Sequence, residues 1–391
     1  MLSMLGFSTY AALLPELRDL WHLSNSEAGI VSGAFFAGYI GTVSLWTALT
    51  DRLDARRVYL AGSLLATAGG GGFGLFAHGF VSAALLQGLL GMGIAATYMP
   101  GLRLLSERVS GPQQSRYVAF YTSFFGIGTA LSLAIAGLAA PLVGWQAAFI
   151  GSAVGPFLAG GVVFLLVEPS TETKIAGAFS FATLFPLAAW RKVLAIRACA
   201  GYTLGYAAHC IELFGSRGWM VAFLSYSATL QASAGFPWQL PAIAAVVNLL
   251  AVPASIVGNE VALRIGRRRW ILLVMGASGS GGLVVAIGAP WHWALVVVLL
   301  ALYSMLVMAE SGTLTAGLVA AAPPELRGAA LGLYSLAGFA GGMLGPVVFG
   351  AALDVAGGAR NATAWIAGYV AIGAGCLAAP IVARIGARSA N

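Results

Sequence analysis

Three side chains in this sequence set a titratable group inside a strongly apolar stretch: His209, Glu212 and Glu310. His209 and Glu212 stand at i and i+3, so on a helix they share one face, with Tyr206 and Tyr202 one and two turns earlier on that side. Ionisable groups in long apolar runs are costly to keep, and in membranes they are functional by default. The chemistry open to this set is proton handling. A carboxyl in low-dielectric surroundings can take up a proton while it faces one side and release it when it faces the other, and a neighbouring imidazole can hand that proton on. The alternative is structural, with each Glu a hydrogen-bond partner between helices and His209 a packing residue.

Depth follows from helical rise. Glu212 lies about 22 Å along from Arg197 and Glu310 about 25 Å along from Trp293, at 1.5 Å per residue. Against an apolar core about 30 Å thick, the expectation is Glu212 in the outer half and Glu310 in the inner half, as a coupling pair at different depths.

Other chemistries lack their signatures. No P-loop, GxSxG, HExxH or paired cysteines occur, so neither ATP hydrolysis nor another enzymatic activity is expected, and no cofactor or metal is implied. Cys199, Cys210 and Cys376 fall inside apolar stretches and read as small packing residues without a disulfide. The driving force for any work is expected to be a gradient.

The elements that must carry these residues are membrane spans. Of 391 residues, 59% are hydrophobic and 8% charged, against about 25% charged in soluble domains. Spans of roughly 20 apolar residues fit twelve times, at about 2–20, 26–49, 57–77, 80–105, 117–140, 145–167, 193–226, 238–263, 270–288, 292–321, 328–353 and 362–384. Ser24-Asn25-Ser26-Glu27 predicts a capping box at the start of the second. No strand is needed. The formal charge of +7 comes in short clusters between spans, which argues against a nucleic-acid partner and for topology. Placing Arg52, Arg56 and Arg57 in the cytoplasm puts 17 of the 20 Lys and Arg there, Lys174 among them, and leaves Arg18, Arg217 and Arg360 outside. Both termini are then cytoplasmic.

Landmarks recur between the two halves of the chain: Arg52 with Arg264, Gly101 with Gly312, Tyr121 with Tyr334 and His78 with His292, at offsets of 211 to 214. The pattern predicts duplicated six-helix bundles over 1–167 and 193–391, joined by a cytoplasmic linker at 168–192. The offset leaves the start of the seventh span without a counterpart, and only Leu2 to Leu14 is apolar before Pro15-Glu16, so the first helix is expected to begin upstream of Met1. No cleaved signal peptide is visible.

Between the second and third spans, Thr47-Ala48-Leu49-Thr50-Asp51-Arg52-Leu53-Asp54-Ala55-Arg56-Arg57 resembles the signature loop of the major facilitator superfamily, Gly-x-x-x-Asp-Arg-x-Gly-x-Arg-Arg. Thr47 and Asp54 replace its two glycines. The second copy, Leu263-Arg264-Ile265-Gly266-Arg267-Arg268-Arg269, keeps Gly and the basic run but loses the acid. Gly144-Trp145-Gln146-Ala147-Ala148-Phe149 is similar to that family's opening of the sixth helix. The resemblance covers the whole chain and implies an all-α fold of twelve transmembrane helices, two six-helix bundles related by pseudo-two-fold symmetry.

It further implies alternating access by a secondary transporter around a site lined by the first, fourth, seventh and tenth helices. Glu212, Glu310, His209, Tyr206, Tyr10, Tyr98, Asn248 and Trp219 are the candidates there. Asp51, Arg52, Arg56, Arg57, Arg264 and Arg268 would latch the inner face, with Asp51 reaching an Arg or a helix start of the opposite half. Two departures bear on mechanism: Gln87 replaces the fourth-helix Arg of many proton-coupled members, and the drug-antiporter signature is missing from Gly126-Ile127-Gly128-Thr129. The related run Gly341…Gly345-Pro346…Gly350 occurs in the eleventh span instead. The expected function is transport of a small solute coupled to protons, by a lipid-embedded monomer in a bacterial inner membrane. An exporter working by proton antiport and a non-transporting sensor or assembly factor on the same fold are the alternatives.

Overall fold

The computed structural model describes residues 1–109, 112–169, 184–231 and 235–388; Lys174 and most of the 168–192 linker lie outside the described residues. Regular structure among them is entirely helical: α1 Thr9–Leu20, α2 Asn25–Leu49, α3 Ala55–Phe76, α4 Phe80–Arg108, α5 Pro112–Leu166, α6 Leu187–Ala195, α7 Arg197–Leu230, α8 Leu240–Ile265, α9 Arg267–Ile287, α10 Trp293–Ala309, α11 Ser311–Ala321, α12 Arg327–Val355 and α13 Ala362–Arg388, with short 3-10 turns at Leu2–Met4 and Pro324–Leu326. Among the described residues, eight helical stretches are long and apolar enough to cross a membrane, Phe124–Leu166 and Trp293–Ala321 running across helix breaks, and Ala362–Ala378 is a shorter apolar one. α1 has 12 residues against 34 in α7.

Two helix breaks have identifiable causes. The fifth and sixth spans form α5, broken at Gly144, whose φ of 83° and ψ of 161° lie in a region open essentially to glycine alone. The turn feeds Trp145 and Phe149 into the core, where the Phe149 ring stacks on Phe73 at 3.9 Å. The tenth span is divided at Glu310, which ends α10 and begins α11. Ala309 at that break gives its carbonyl to the Trp270 indole N–H, 3.0 Å away, so a side chain from α9 holds the interruption.

The chain forms two compact units, residues 1–13 with 34–185 and residues 14–33 with 186–391. In the first, α3 packs on α4 and on α5. In the second, α9 packs on α10 and α13, while α12 packs along α7. Third span on fourth and sixth, ninth on tenth and twelfth: the same neighbours recur, as a duplication requires. Landmark tyrosines recur as well, with Tyr121 donating to the Tyr98 carbonyl at 2.8 Å and Tyr334 sharing a 2.9 Å hydrogen bond with Thr315.

The two copies of the signature loop turn differently. Gly266 has φ 94°, whereas Asp54, its counterpart 212 residues earlier, has φ −55° and caps α3 by accepting the Arg56 N–H at 2.9 Å. Position 54 thus uses no left-handed backbone.

Candidate functional site

α7 and α10–α11 run antiparallel with a fixed register. His209 meets Glu310, Gly205 faces Leu314, and Gly317 abuts the Tyr202 ring, one number falling as the other rises. The register brings the sequence-singled acids and the histidine into one buried cluster of the second unit. His209 Nδ1 and Glu310 Oε1 share a hydrogen bond of 2.9 Å, with side-chain exposures of 1% and 0%. Glu212 is also fully buried; its Oε2 accepts from the Ser278 hydroxyl at 3.0 Å and its Oε1 from Tyr303 at 3.1 Å. The Cys376 thiol, from α13, lies within 4.8 Å of a Glu212 carboxylate oxygen.

The expected depth separation does not hold. Donor atoms of Glu212, Glu310 and Cys376 all lie within 4.8 Å of one another, so the two acids occupy one level. Residues Trp293–Ala321 number 29, about 43 Å of helix, and α7 is longer still, so Arg197 and Trp293 do not mark the faces of a core about 30 Å thick.

Aromatic rings support the cluster from one side. Tyr206 stacks on His209 at 5.6 Å and on Tyr334 at 3.8 Å, the latter pair within 9° of coplanar. His209 Nε2 and Glu310 Oε2 carry no hydrogen-bond partner among the described residues. A buried polar atom left unpaired is expensive, so this pair is a place where a proton or a further group has strong reason to bind. Glu212, Glu310 and Cys376 together offer a donor set of the kind that holds a cation. Glu212 already uses both oxygens on Ser278 and Tyr303, which makes the His209–Glu310 end the open one.

The other sequence candidates sit elsewhere. Tyr10 belongs to the first unit, 3% exposed against Phe73, and Tyr98 in that unit packs on Tyr121 and Phe125. Asn248 is buried and donates to Ala244 of its own helix at 2.8 Å. Trp219 is a packing residue whose indole donates to the Pro346 carbonyl at 2.9 Å. Ser278 and Tyr303 escaped sequence reasoning, and Cys376 reads there as a small packing residue, since a hydroxyl or thiol in an apolar span does not announce its partner.

At the signature loop, Asp51 forms its ion pair with Arg103 of α4, which also donates to Thr50 at 2.9 Å and to Glu107 at 2.8 Å. Arg103 lies in the same unit as Asp51. Arg56 donates to the Phe164 carbonyl at 2.7 Å, so a cation meets the carbonyl-rich end of α5. Arg57, Arg264 and Arg268 are exposed, and Arg52 is half-buried.

Comparisons with known proteins agree with this architecture. Residues 1–346 match the family model described as Major Facilitator Superfamily. Among curated relatives, the chain is 26% identical over 147 residues to a putative niacin/nicotinamide transporter, NiaP, of Bacillus subtilis (strain 168), covering 38% of this chain and 36% of that protein. It is 22% identical over 132 residues to organic cation/carnitine transporter 7 of Arabidopsis thaliana, covering 34% and 26%. The matched segments thus span about a third of those relatives' lengths or less. Among solved structures, a bacterial homologue of the human lysosomal transporter Spinster, inward-facing and unoccupied, superposes with a TM-score of 0.74 at 13% identity over 99% of this chain and 93% of that one. The nucleoside transporter NupG superposes with a TM-score of 0.74 at 14% identity over 99% and 97%.

Proposed function

The chain belongs to the Major Facilitator Superfamily, and from that premise we propose that it moves a small organic solute across a membrane by alternating access, with protons as the coupling ion. The observation that carries the reading is the fully buried His209–Glu310 hydrogen bond at a helix break, with the second carboxyl of Glu212 beside it. An acid and an imidazole in that setting hold one proton between them. Exposure of the pair to one aqueous side and then the other would load and unload it. Glu212 supplies a neighbouring acid fixed by Ser278 and Tyr303, so a charge on one carboxyl disfavours a charge on the other. Tyr206 positions the imidazole by stacking.

The inner or plasma membrane with both termini cytoplasmic is the placement that the arginine distribution supports. The names of the relatives supply the first probes, nicotinate, nicotinamide and carnitine. The test is uptake of labelled probe into proteoliposomes with and without an imposed pH gradient. Accumulation above equilibrium is expected only with the gradient, and Glu310→Gln and Glu212→Gln should abolish it while keeping probe-for-probe exchange. If both Gln variants accumulate probe as the parent does, the acids are structural and the coupling site is wrongly assigned.

A further inference from the structure

At the end of α12, Asp354 makes four hydrogen bonds to the start of α2. Its Oδ1 accepts from the backbone and side-chain nitrogens of Asn25 at 3.1 and 2.7 Å, and its Oδ2 from the backbone and hydroxyl of Ser26 at 2.7 and 2.6 Å. The first backbone N–H groups of a helix have no partner within it and carry partial positive charge, so a carboxylate there is doubly favoured. α2 already has a cap of its own, because Ser24 and Glu27 bond reciprocally. Asp354 therefore adds a second, foreign cap supplied from 329 residues away in the sequence.

The backbones beside this cap touch without side chains between them. A Cβ at Gly350 would come within 2.2 Å of the Asn25 carbonyl, and one at Gly29 within 2.4 Å of the Pro346 carbonyl. Residues 14–33 accordingly belong to the second compact unit, while α2 from Ala34 onward belongs to the first. A helix shared in this way has to be let go at one end if the two sequence halves are to part.

We propose that Asp354 is a gating residue of the transport cycle, its carboxylate clasping the start of α2 and releasing it each time that end of the protein opens. The proposal rests on the alternating-access reading. The hold is charge-assisted and fourfold, yet it consists of hydrogen bonds that water can replace one by one as the end opens.

The test measures opening directly and needs no transport. Val31 is fully buried on α2, five residues after Ser26 and in the stretch of that helix that shares a unit with Asp354, so Val31→Cys places a slightly smaller side chain in the segment that the clasp holds. In nanodiscs, the maleimide labelling rate at position 31 should rise at least about fivefold in Asp354→Ala, the equivalent of losing one helix cap. Asp354→Asn, which keeps an acceptor but no charge, should fall between. Ser26→Ala should raise labelling alone and add little on top of Asp354→Ala. Labelling of the buried native Cys210 reports general loosening. Unchanged labelling at position 31 in both Asp354 variants overturns the clasp, and so does a parallel rise at Cys210. Retained pH-driven accumulation in both Gln variants would instead overturn the coupling reading and leave this result to stand on its own.

Discussion

His209 Nδ1 and Glu310 Oε1 lie 2.9 Å apart on two antiparallel helices, with a second carboxyl, Glu212, one turn along from the histidine. Neither residue of the pair reaches solvent, so each depends on the other for its polar contact. Removing one partner of such a buried pair commonly costs about 3–5 kcal/mol, because the remaining group is stranded.

That dependence is measurable in a double-mutant cycle. His209→Ala and Glu310→Gln should each lower the thermal midpoint of the purified protein, and the double variant should lose clearly less than the two losses combined. Strict additivity would mean that the pair contributes no mutual stabilisation.

Glu212 is held differently, by Ser278 and Tyr303. Glu212→Leu removes the carboxylate acceptor of the Tyr303 hydroxyl, while the Ser278 hydroxyl keeps the Met275 carbonyl at 3.3 Å, so the change should cost about 1–3 kcal/mol. In Glu212→Gln the amide can still accept from one hydroxyl and donate to the other, so the loss should stay near 1 kcal/mol. Comparing the melting temperatures of the two variants checks this order.

Asp51 is 65% exposed in its pair with Arg103, and exposed ion pairs contribute at most about 1 kcal/mol. Asp51→Asn should therefore leave the melting temperature nearly unchanged. If the pair sets the position of the α2 end during the cycle, transport slows at equal expression, and exchanging the two charges, Asp51→Arg with Arg103→Asp, restores part of the rate. Unchanged transport in Asp51→Asn would limit the pair to local anchoring.

Gly144 has open space around its Cα, and a Cβ added there would come no nearer than 3.4 Å to the Gln146 side chain. Gly144→Ala should nonetheless destabilise by about 1–3 kcal/mol, since its φ of 83° and ψ of 161° are strained for any side chain. A melting temperature equal to the parent's would show that the α5 break can relax to an ordinary turn.

Hydropathy made the helices legible, because a span announces itself in twenty residues of its own sequence. The capping box at Ser24 and Glu27 was legible for the same reason, being local. Register was not. A helix reports which of its residues share a face but not which partner that face meets, so helical rise alone separates Glu212 and Glu310 in depth although they share a level. The break at Glu310 has no proline to announce it and depends on Trp270 from another helix. Asp354 sits just before Gly357 and Gly358, where an acid reads as loop punctuation, and its role exists only once α2 is beside it.

The two copies of the signature loop carry one more implication. Position 266 needs a backbone that only glycine adopts freely, whereas position 54 supplies a side-chain acceptor from an ordinary conformation. Serine, threonine and asparagine can all supply the capping acceptor that Asp54 gives Arg56, so the cap can be met by several residues. Gly266 has nowhere to go. A duplicated turn has thus become permissive in one copy and frozen in the other, and libraries that randomise both loops should return varied residues at 54 and glycine alone at 266.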